Sequence, residues 1–257
     1  MNKIALITGA TSGIGKATAI QFAQNNYQLI LTGRRNDRLT ALKNELSASY
    51  QVEILILNFD VQDNDAVQQA LASLPTAWKK IDILVNNAGV AWGAPLEEFP
   101  EVGWDKVFDT NVKGVFFLTQ KLLPLLEANA TKEDPARIIN IGSIDGIRTP
   151  MFDTHSYGPS KAALHTLTTQ MAAKLVKRNI IANAIAPGPF PTYMLSTGIG
   201  TGGDVEGTDW DALGRGNPRK RVGTPQDIAG LAIFLSSRAG AFTVGEVIKC
   251  DGGQANS

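Results

Sequence analysis

The chain has 257 residues and 44% hydrophobic residues, enough to bury the large core of one α/β domain. Its 24 basic and 24 acidic residues cancel, which argues against nucleic acid or an anionic membrane as the main partner, because both favour a basic excess. One cysteine excludes an intramolecular disulfide and favours a reducing compartment. The N-terminal apolar run is too short for a signal peptide or a spanning helix, so we expect a cytoplasmic protein.

Short aliphatic segments alternate with longer amphipathic ones. The segments with strand character are 3–7, 28–32, 52–58, 81–85, 136–141, 180–185 and 244–249. The segments with helical periodicity are 14–25, 36–47, 63–74, 104–128, 156–177 and 225–236. Strands that are apolar nearly throughout and alternate with helices predict a parallel sheet covered on both faces. We therefore predict a single-domain, Rossmann-like, doubly wound α/β fold of about seven strands over residues 1–257.

Local signals refine three of these segments and mark one further stretch of the chain. Asn36 and Asp37 stand before the second helix, and Thr224-Pro225 has the cap-then-proline order of a helix start. Pro124 predicts a kink or an early end of the helix at 104–128. Residues 196–217 carry seven glycines and little apolar periodicity, which indicates a mobile excursion. We place a candidate substrate lid at about 190–217.

The connection after the first strand is rich in glycine. Gly9, Gly13 and Gly15 let the backbone approach a pyrophosphate, and the free N–H groups of a helix start favour that anion. The spacing differs from the GxGxxG fingerprint, and such a connection can also be only a tight turn. Its place after the first strand of an α/β chain favours nucleotide binding.

The second strand ends in Arg34 and Arg35 where an acidic residue would hydrogen-bond the ribose 2′-OH of NAD. Guanidinium groups suit a 2′-phosphate instead, so the sequence predicts NADP(H) in preference to NAD(H). The alternative is that both arginines form a solvated helix entry.

Tyr157 and Lys161 stand one turn apart on a predicted helix, so they share a face. A nearby cation favours the phenolate and would lower the pKa of Tyr157 toward the neutral range. The pair alone is weak evidence, because this spacing is common on ordinary helices.

Further motifs complete a pattern that runs through residues 3–253. They are TGATSGIG (8–15), FDV (59–61), NNAG (86–89), TNVKG with Asn111, NIGS with Ser143, YGPSK (157–161), APGPFPT (186–192) and DGG (251–253). In this order and spacing the chain resembles the classical short-chain dehydrogenase/reductase family.

The resemblance implies four catalytic residues. Tyr157 would donate the proton in carbonyl reduction, and Lys161 would lower the pKa of Tyr157 and bind the nicotinamide ribose. Ser143 would hydrogen-bond the substrate carbonyl, and Asn111 would hold a water that links Lys161 to solvent. In isolation, Ser143 would be read as a strand-end turn residue and Asn111 as a polar residue inside a helix.

The same resemblance and the two arginines define a nicotinamide cofactor site. Asp60 and Val61 would contact the adenine, 87–89 the adenosine side and 187–192 the carboxamide. The full set is Gly9, Thr11, Ser12, Gly13, Ile14, Gly15, Arg34, Arg35, Asp60, Val61, Asn87, Ala88, Gly89, Tyr157, Lys161, Pro187, Gly188, Phe190 and Thr192.

The chain departs from the family pattern at two positions near the site. Gly142 replaces a serine often found before the catalytic one, and Pro159 lies where a small residue is usual. We expect neither change to abolish activity. His155 and His165 have no spaced cysteines around them, so we expect no metal site.

The resemblance implies a carbonyl reductase or alcohol dehydrogenase acting on a small molecule. Residues 1–87 are similar to 3-hydroxy acid dehydrogenases such as serine dehydrogenases, and residues from about 135 onward to 3-oxoacyl and rhamnolipid-type reductases. Asp134 argues against docking of an acidic carrier protein. A non-catalytic NADP-binding redox sensor is the rival interpretation. The resemblance also implies a homotetramer or homodimer.

Overall fold

The computed structural model of the chain describes residues 3–198 and 201–257. Its strands form one sheet in the order β3-β2-β1-β4-β5-β6-β7, and all neighbouring pairs are parallel. The strands are β1 (Ile4–Ile7), β2 (Gln28–Gly33), β3 (Ile54–Asn58), β4 (Ile83–Asn86), β5 (Ala136–Ile141), β6 (Ile180–Pro187) and β7 (Val247–Cys250). The four central strands β1, β4, β5 and β6 are buried along their full length, which explains their apolar sequences.

Helices cover both faces of the sheet. They are α1 (Gly13–Gln24), α2 (Asn36–Ser49), α3 (Asn64–Ala72), α4 (Glu101–Phe108), α5 (Val115–Glu127), α6 (Tyr157–Leu175), α7 (Tyr193–Gly198), α8 (Trp210–Arg215) and α9 (Pro225–Ser236). One core cluster joins the sheet to α1 and α9 through Phe22 and Leu235, and a second joins it to α5 and α6 through Leu122 and Leu175. The predicted doubly wound α/β fold is confirmed. In the two described ranges, no helix is both long and apolar enough to cross a bilayer.

The single helix predicted at 104–128 is in fact two helices joined by a π-helical turn. The turn covers Asp109–Gly114, and a Cβ at Gly114 would lie 2.8 Å from the carbonyl oxygen of Val61. Pro124 lies inside α5, so the predicted early end is wrong. Pro124 is exposed, and water can therefore bond the carbonyl that loses its helical partner.

The glycine-rich segment 196–217 is more regular than its sequence suggests. It contains the end of α7 and the whole of α8, and Asp209 caps α8 by accepting a 2.8 Å hydrogen bond from the Ala212 N–H. Residues 199 and 200 of this segment lie outside the described residues. The predicted mobility of the lid stays a prediction.

The two expected helix starts turn out differently. At α2, Arg35 occupies the N-cap position, and Asn36 and Asp37 lie in the first turn rather than before it. At α9 the expectation is confirmed, because Thr224 and Asp227 form a reciprocal capping box and Pro225 follows the cap. Arg221 pairs with the Asp227 carboxylate at 2.6 Å. This guanidinium, with the Thr224 hydrogen bonds, holds the pKa of Asp227 well below its usual range.

We predict that Asp227→Ala lowers the free energy of unfolding at pH 7 by about 1–2 kcal/mol, because it removes one half of the capping box of α9 and the partner of Arg221. A carboxyl whose pKa is lowered by folding stabilises the protein above its unfolded-state pKa, and this contribution is lost as the pH falls below that value. The difference between wild type and variant should therefore shrink from pH 5 downward. Urea unfolding at pH 7, 4 and 3 measures it.

The exposed Gln226 in the same turn gives the matched control Gln226→Ala, for which we expect little change at any of these pH values. An Asp227→Ala deficit that is equal at pH 7 and pH 3 would contradict the assigned ion pair.

Candidate active site

The site lies at the carboxyl edge of the sheet, where the turns after β1 and β4 meet. In a doubly wound sheet this is the point at which the strand order reverses and a crevice opens. The Thr8 hydroxyl accepts hydrogen bonds from the N–H groups of Asn87 and Ala88, each at 2.9 Å. The Asn87 side chain donates back to the carbonyl oxygens of Thr8 at 2.9 Å and Gly9 at 3.1 Å. The NNAG motif thus fixes the shape of the glycine-rich turn.

The glycine-rich turn has the form of an anion cradle. Gly9 and Gly13 have φ values of 63° and 52°, which favour glycine. A Cβ at Gly15 would lie 2.3 Å from the Gly9 carbonyl oxygen and 2.4 Å from Asn87 Nδ2, so only glycine fits. Within the described part of the chain, the Ser12 side chain makes no capping hydrogen bond to the start of α1. The first N–H groups of α1, at positions 13–15, are therefore available to a pyrophosphate, and the turn fits a dinucleotide.

The two arginines lie beside this turn. Arg35 Nη2 donates a 3.1 Å hydrogen bond to the Thr11 hydroxyl, and Arg34 Nη1 lies 3.6 Å from Asp60 Oδ2. Both arginine side chains are exposed, which also agrees with the alternative that they form a solvated entry to α2. Their partners nevertheless belong to two other predicted cofactor motifs. Val61, next to Asp60, is buried against the π-helical turn.

The chemical end of the site is built on the start of α6. Tyr157 and Lys161 share a face, and Lys161 Nζ lies 5.6 Å from the centroid of the Tyr157 ring. The Lys161 ammonium is buried and donates a 2.8 Å hydrogen bond to the carbonyl oxygen of Ile141, the last residue of β5. Ser143 follows two residues later, and its hydroxyl accepts a 3.1 Å hydrogen bond from the Asp145 N–H. The ends of β5 and α6 thus bring Ser143, Tyr157 and Lys161 together.

The pKa of Tyr157 differs from the expected direction. Burial raises it to about 12; the neighbouring Ser143 hydroxyl acts in the lowering direction, and Asp145 adds to the increase. Burial also lowers the pKa of Lys161 to about 8. The net pKa of Tyr157 is therefore raised rather than lowered, because desolvation of the phenol dominates, and the role of Lys161 stays a prediction. A protonated phenol is the form that a proton donor requires.

Asn111 occupies the π-helical turn between α4 and α5, and it is fully buried. Its Oδ1 accepts a 2.9 Å hydrogen bond from the Val90 N–H, and its Nδ2 donates to Val90 O at 2.9 Å and to Ser160 Oγ at 3.0 Å. The side chain therefore joins the NNAG loop to α6. A Cβ at Gly89 would lie 3.3 Å from Asn111 Oδ1 and 3.5 Å from Lys161 Nζ, so Gly89 keeps this corner open. A bound water at Asn111 stays a prediction.

The predicted carboxamide segment, 187–192, closes the crevice on its far side. Thr192 lies against Gly13, since a Cβ there would be 3.2 Å from Thr192 Cγ2. The Gly188 N–H donates a 3.0 Å hydrogen bond to Cys250 O, and Gly188 packs on Asp251 of the DGG motif. The Phe190 side chain lies in the hydrophobic core, so only its backbone is free to contact a cofactor.

Three residues near the site have no role in the sequence interpretation: Thr8, Ser160 and His165. Thr8 and Ser160 carry no signal beyond their places inside the quoted motifs. The signal for His165 is the departure from the family pattern at Gly142.

Pro159, the second departure from the family pattern, is exposed in the first turn of α6, where its missing N–H is tolerated. Within the described ranges, no group of three His, Cys, Asp or Glu side chains is arranged to hold a metal ion.

A phosphate cradle beside a half-buried tyrosine and a buried lysine defines the class of the protein as a dinucleotide-dependent oxidoreductase. Comparison with known sequences supports this class. The sequence model of the short chain dehydrogenase family matches residues 3–198. The chain belongs to this family and is an oxidoreductase that acts on CH–OH or carbonyl groups.

Individual relatives cover almost the whole chain. A rhamnolipids biosynthesis 3-oxoacyl-[acyl-carrier-protein] reductase of Pseudomonas aeruginosa is 39% identical over 98% of this chain and 95% of the relative. A serine 3-dehydrogenase of Agrobacterium fabrum is 37% identical over 93% of this chain and 89% of the relative. The solved Pseudomonas aeruginosa RhlG/NADP active-site complex is 38% identical over 98% of this chain and 96% of that one, with a TM-score of 0.90.

Proposed function

We propose that the protein is a cytoplasmic, NADPH-dependent carbonyl reductase of the short-chain type. The observation that carries the proposal is the convergence of Ser143, Tyr157 and Lys161 at the end of β5. When bound, the nicotinamide supplies a hydride to the carbonyl carbon, or accepts one from an alcohol. The residues of the chain manage the oxygen and its proton.

In the proposed mechanism the substrate oxygen lies between Ser143 and Tyr157. The Ser143 hydroxyl donates a hydrogen bond to this oxygen and stabilises the negative charge that develops on it. The Tyr157 hydroxyl then donates its proton to the same oxygen, and the buried, cationic Lys161 favours the phenolate left behind. Its Ile141 hydrogen bond orients Lys161 without neutralising its charge.

We propose a 3-oxoacyl or other β-keto compound as substrate, taken up as a small molecule. The name of the Pseudomonas relative supports a 3-oxoacyl group. Exposed apolar side chains in the loop after Ser143 and at the start of α7, namely Ile147, Met151, Tyr193 and Met194, suit an aliphatic chain. The second candidate is oxidation of a 3-hydroxy acid, which the serine 3-dehydrogenase relatives favour. We do not propose docking of an acidic carrier protein near Asp134, because this residue is itself acidic and already pairs with Lys3.

We predict that Tyr157→Phe lowers kcat for reduction of a β-keto ester by about 10²–10⁴-fold, because the proton donor is lost. The Kd for NADPH should change less than about threefold, since the phosphate cradle is untouched. NADPH oxidation with β-keto esters, diketones and quinones, and NADP⁺ reduction with serine and other 3-hydroxy acids, identify the reaction.

Tyr50→Phe, at the tyrosine that follows the last residue of α2, is the matched control and should keep the wild-type proton transfer. An active Tyr157→Phe variant would exclude the mechanism. Tight NADPH binding by the wild type without turnover of any compound in the panel would favour the redox sensor.

We predict that Arg34→Asp raises the Kd for NADPH by about 10–100-fold, because one charge-assisted contact to the 2′-phosphate is lost. The Kd for NADH should change less than about threefold. Fluorescence titration with both cofactors measures the two constants. Arg38→Asp, on the exposed side of α2, makes the same charge change as a control. Equal losses for both cofactors would remove the argument for NADP(H).

We propose that the protein is a homotetramer, with a homodimer as the smaller assembly. Two separate surfaces support this: Trp104 and Phe116 are exposed on α4 and α5, and Phe234 and Phe242 are exposed near α9 and β7. Light scattering should give four chains for the wild type and two for Phe116→Glu or for Phe242→Glu. A wild-type monomer would contradict the proposal.

A further inference from the structure

The turn that carries Ser143 has an imidazole packed into it. A Cβ at Gly142 would lie 2.1 Å from His165 Nε2 and 2.7 Å from His165 Cδ2, closer than atoms can approach. Neither Gly142 nor Gly146, on the far side of Ser143, has a positive φ, so backbone conformation does not require glycine at either position. Gly142 is therefore glycine because His165 occupies the space of its side chain. This accounts for the departure at Gly142 from the family pattern.

His165 stands on the same face of α6 as Tyr157 and Lys161, one turn beyond the lysine. Its side chain is buried, and its Nε2 accepts a 3.5 Å hydrogen bond from the Ser143 N–H. This is a long hydrogen bond, and packing of the ring against the turn adds to the restraint. Helix α6 thus contacts the end of β5 at Ile141 through Lys161 and at 142–143 through His165.

The imidazole is neutral at physiological pH. Burial, with a contribution from the positive charge of Lys161, lowers the pKa of His165 to about 4. A neutral ring keeps one nitrogen with a free lone pair, as an acceptor of the Ser143 N–H requires.

We propose that His165 is a positioning residue that holds the Ser143 turn against Tyr157 by filling the space over Gly142 and accepting the Ser143 N–H. The proposal rests on the proposed function, in which the Ser143 hydroxyl contacts the substrate oxygen. Catalysis is sensitive to this placement, because a shift of about 1 Å in a catalytic group can cost about 10²-fold in rate.

The first test compares two side chains of similar size at position 165. His165→Gln keeps a strong acceptor near the place of Nε2, whereas His165→Met fills the space with a thioether that accepts only weakly. We expect His165→Met to lower kcat about 10–100-fold with KM changed less than about threefold, and His165→Gln to recover most of the loss. Thr166→Met, at the exposed neighbouring position, should behave as wild type. A His165→Met variant with wild-type kcat, or equal losses for Gln and Met, would overturn the proposal.

The second test substitutes both residues of the contact, Gly142 and His165, singly and together. Gly142→Ala should lower kcat at least about tenfold in the wild type, because its methyl group collides with the imidazole. In a His165→Ala background the same change should cost less than about threefold. Thermal midpoints and NADPH Kd values identify variants that have lost the fold. Additive losses would show that the contact does not restrain Ser143.

A third measurement does not depend on turnover. Hydrogen exchange of the Ser143 amide should be at least about tenfold faster in His165→Met than in His165→Gln, because only glutamine keeps a strong acceptor. Equal exchange would overturn the positioning role whether or not a substrate is found. An active His165→Met variant beside an inactive Tyr157→Phe variant would leave the proposed function intact and remove only the role of His165.

Discussion

Helix α6 packs a polar stripe, rather than an apolar one, against the end of β5, and the chemical end of the site depends on this contact. Lys161 donates to the Ile141 carbonyl, and Thr168, two turns further along α6, accepts from the Asn140 side chain at 2.8 Å. Asn140 in turn accepts a 2.8 Å hydrogen bond from Asn86 of β4. Burying this many polar groups is costly unless they are paired, and among the described residues only Asn86 Oδ1 of this network has no hydrogen-bond partner. The network fixes α6 along its length, so the spacing of its side chains becomes the geometry of the site.

The sequence was sufficient for the architecture because the four central strands are buried on both faces. A nearly apolar run of strand length, repeated between amphipathic segments, has few other interpretations, and all seven predicted strands are present, six of them with shifted ends. The break between α4 and α5 was not predicted in the same way, because Asp109–Gly114 contains no proline that would end a helix. It arises from a tertiary contact, the close approach of Gly114 to Val61. Helix α8 was missed for the opposite reason: glycines lower the helical signal, and the Asp209 cap and the Trp210 bond to Val205 compensate.

Sequence motifs predict which residues form the candidate site, but they do not predict the protonation states of those residues. Spacing places Tyr157 and Lys161 on one face, yet it leaves open whether the ammonium lies nearest the phenol oxygen or another acceptor. Here its hydrogen bond goes to Ile141, and desolvation sets the pKa of Tyr157. The link between Gly142 and His165 was hidden for a related reason. Each residue is visible in the sequence, but their contact depends on how deeply α6 packs against β5.

The two ends of the site are therefore built on different principles. The phosphate end consists of backbone: three glycines, free N–H groups and a turn held by Thr8 and Asn87. Its shape follows from residue type, since no other residue fits at Gly15. The chemical end consists of buried side chains whose protonation and position depend on their neighbours. Substitutions at the first end act through steric exclusion, whereas those at the second act through desolvation and small displacements. A family motif thus carries the cofactor cradle almost completely, while the surroundings of Ser143 include His165, a contact that the motif does not contain.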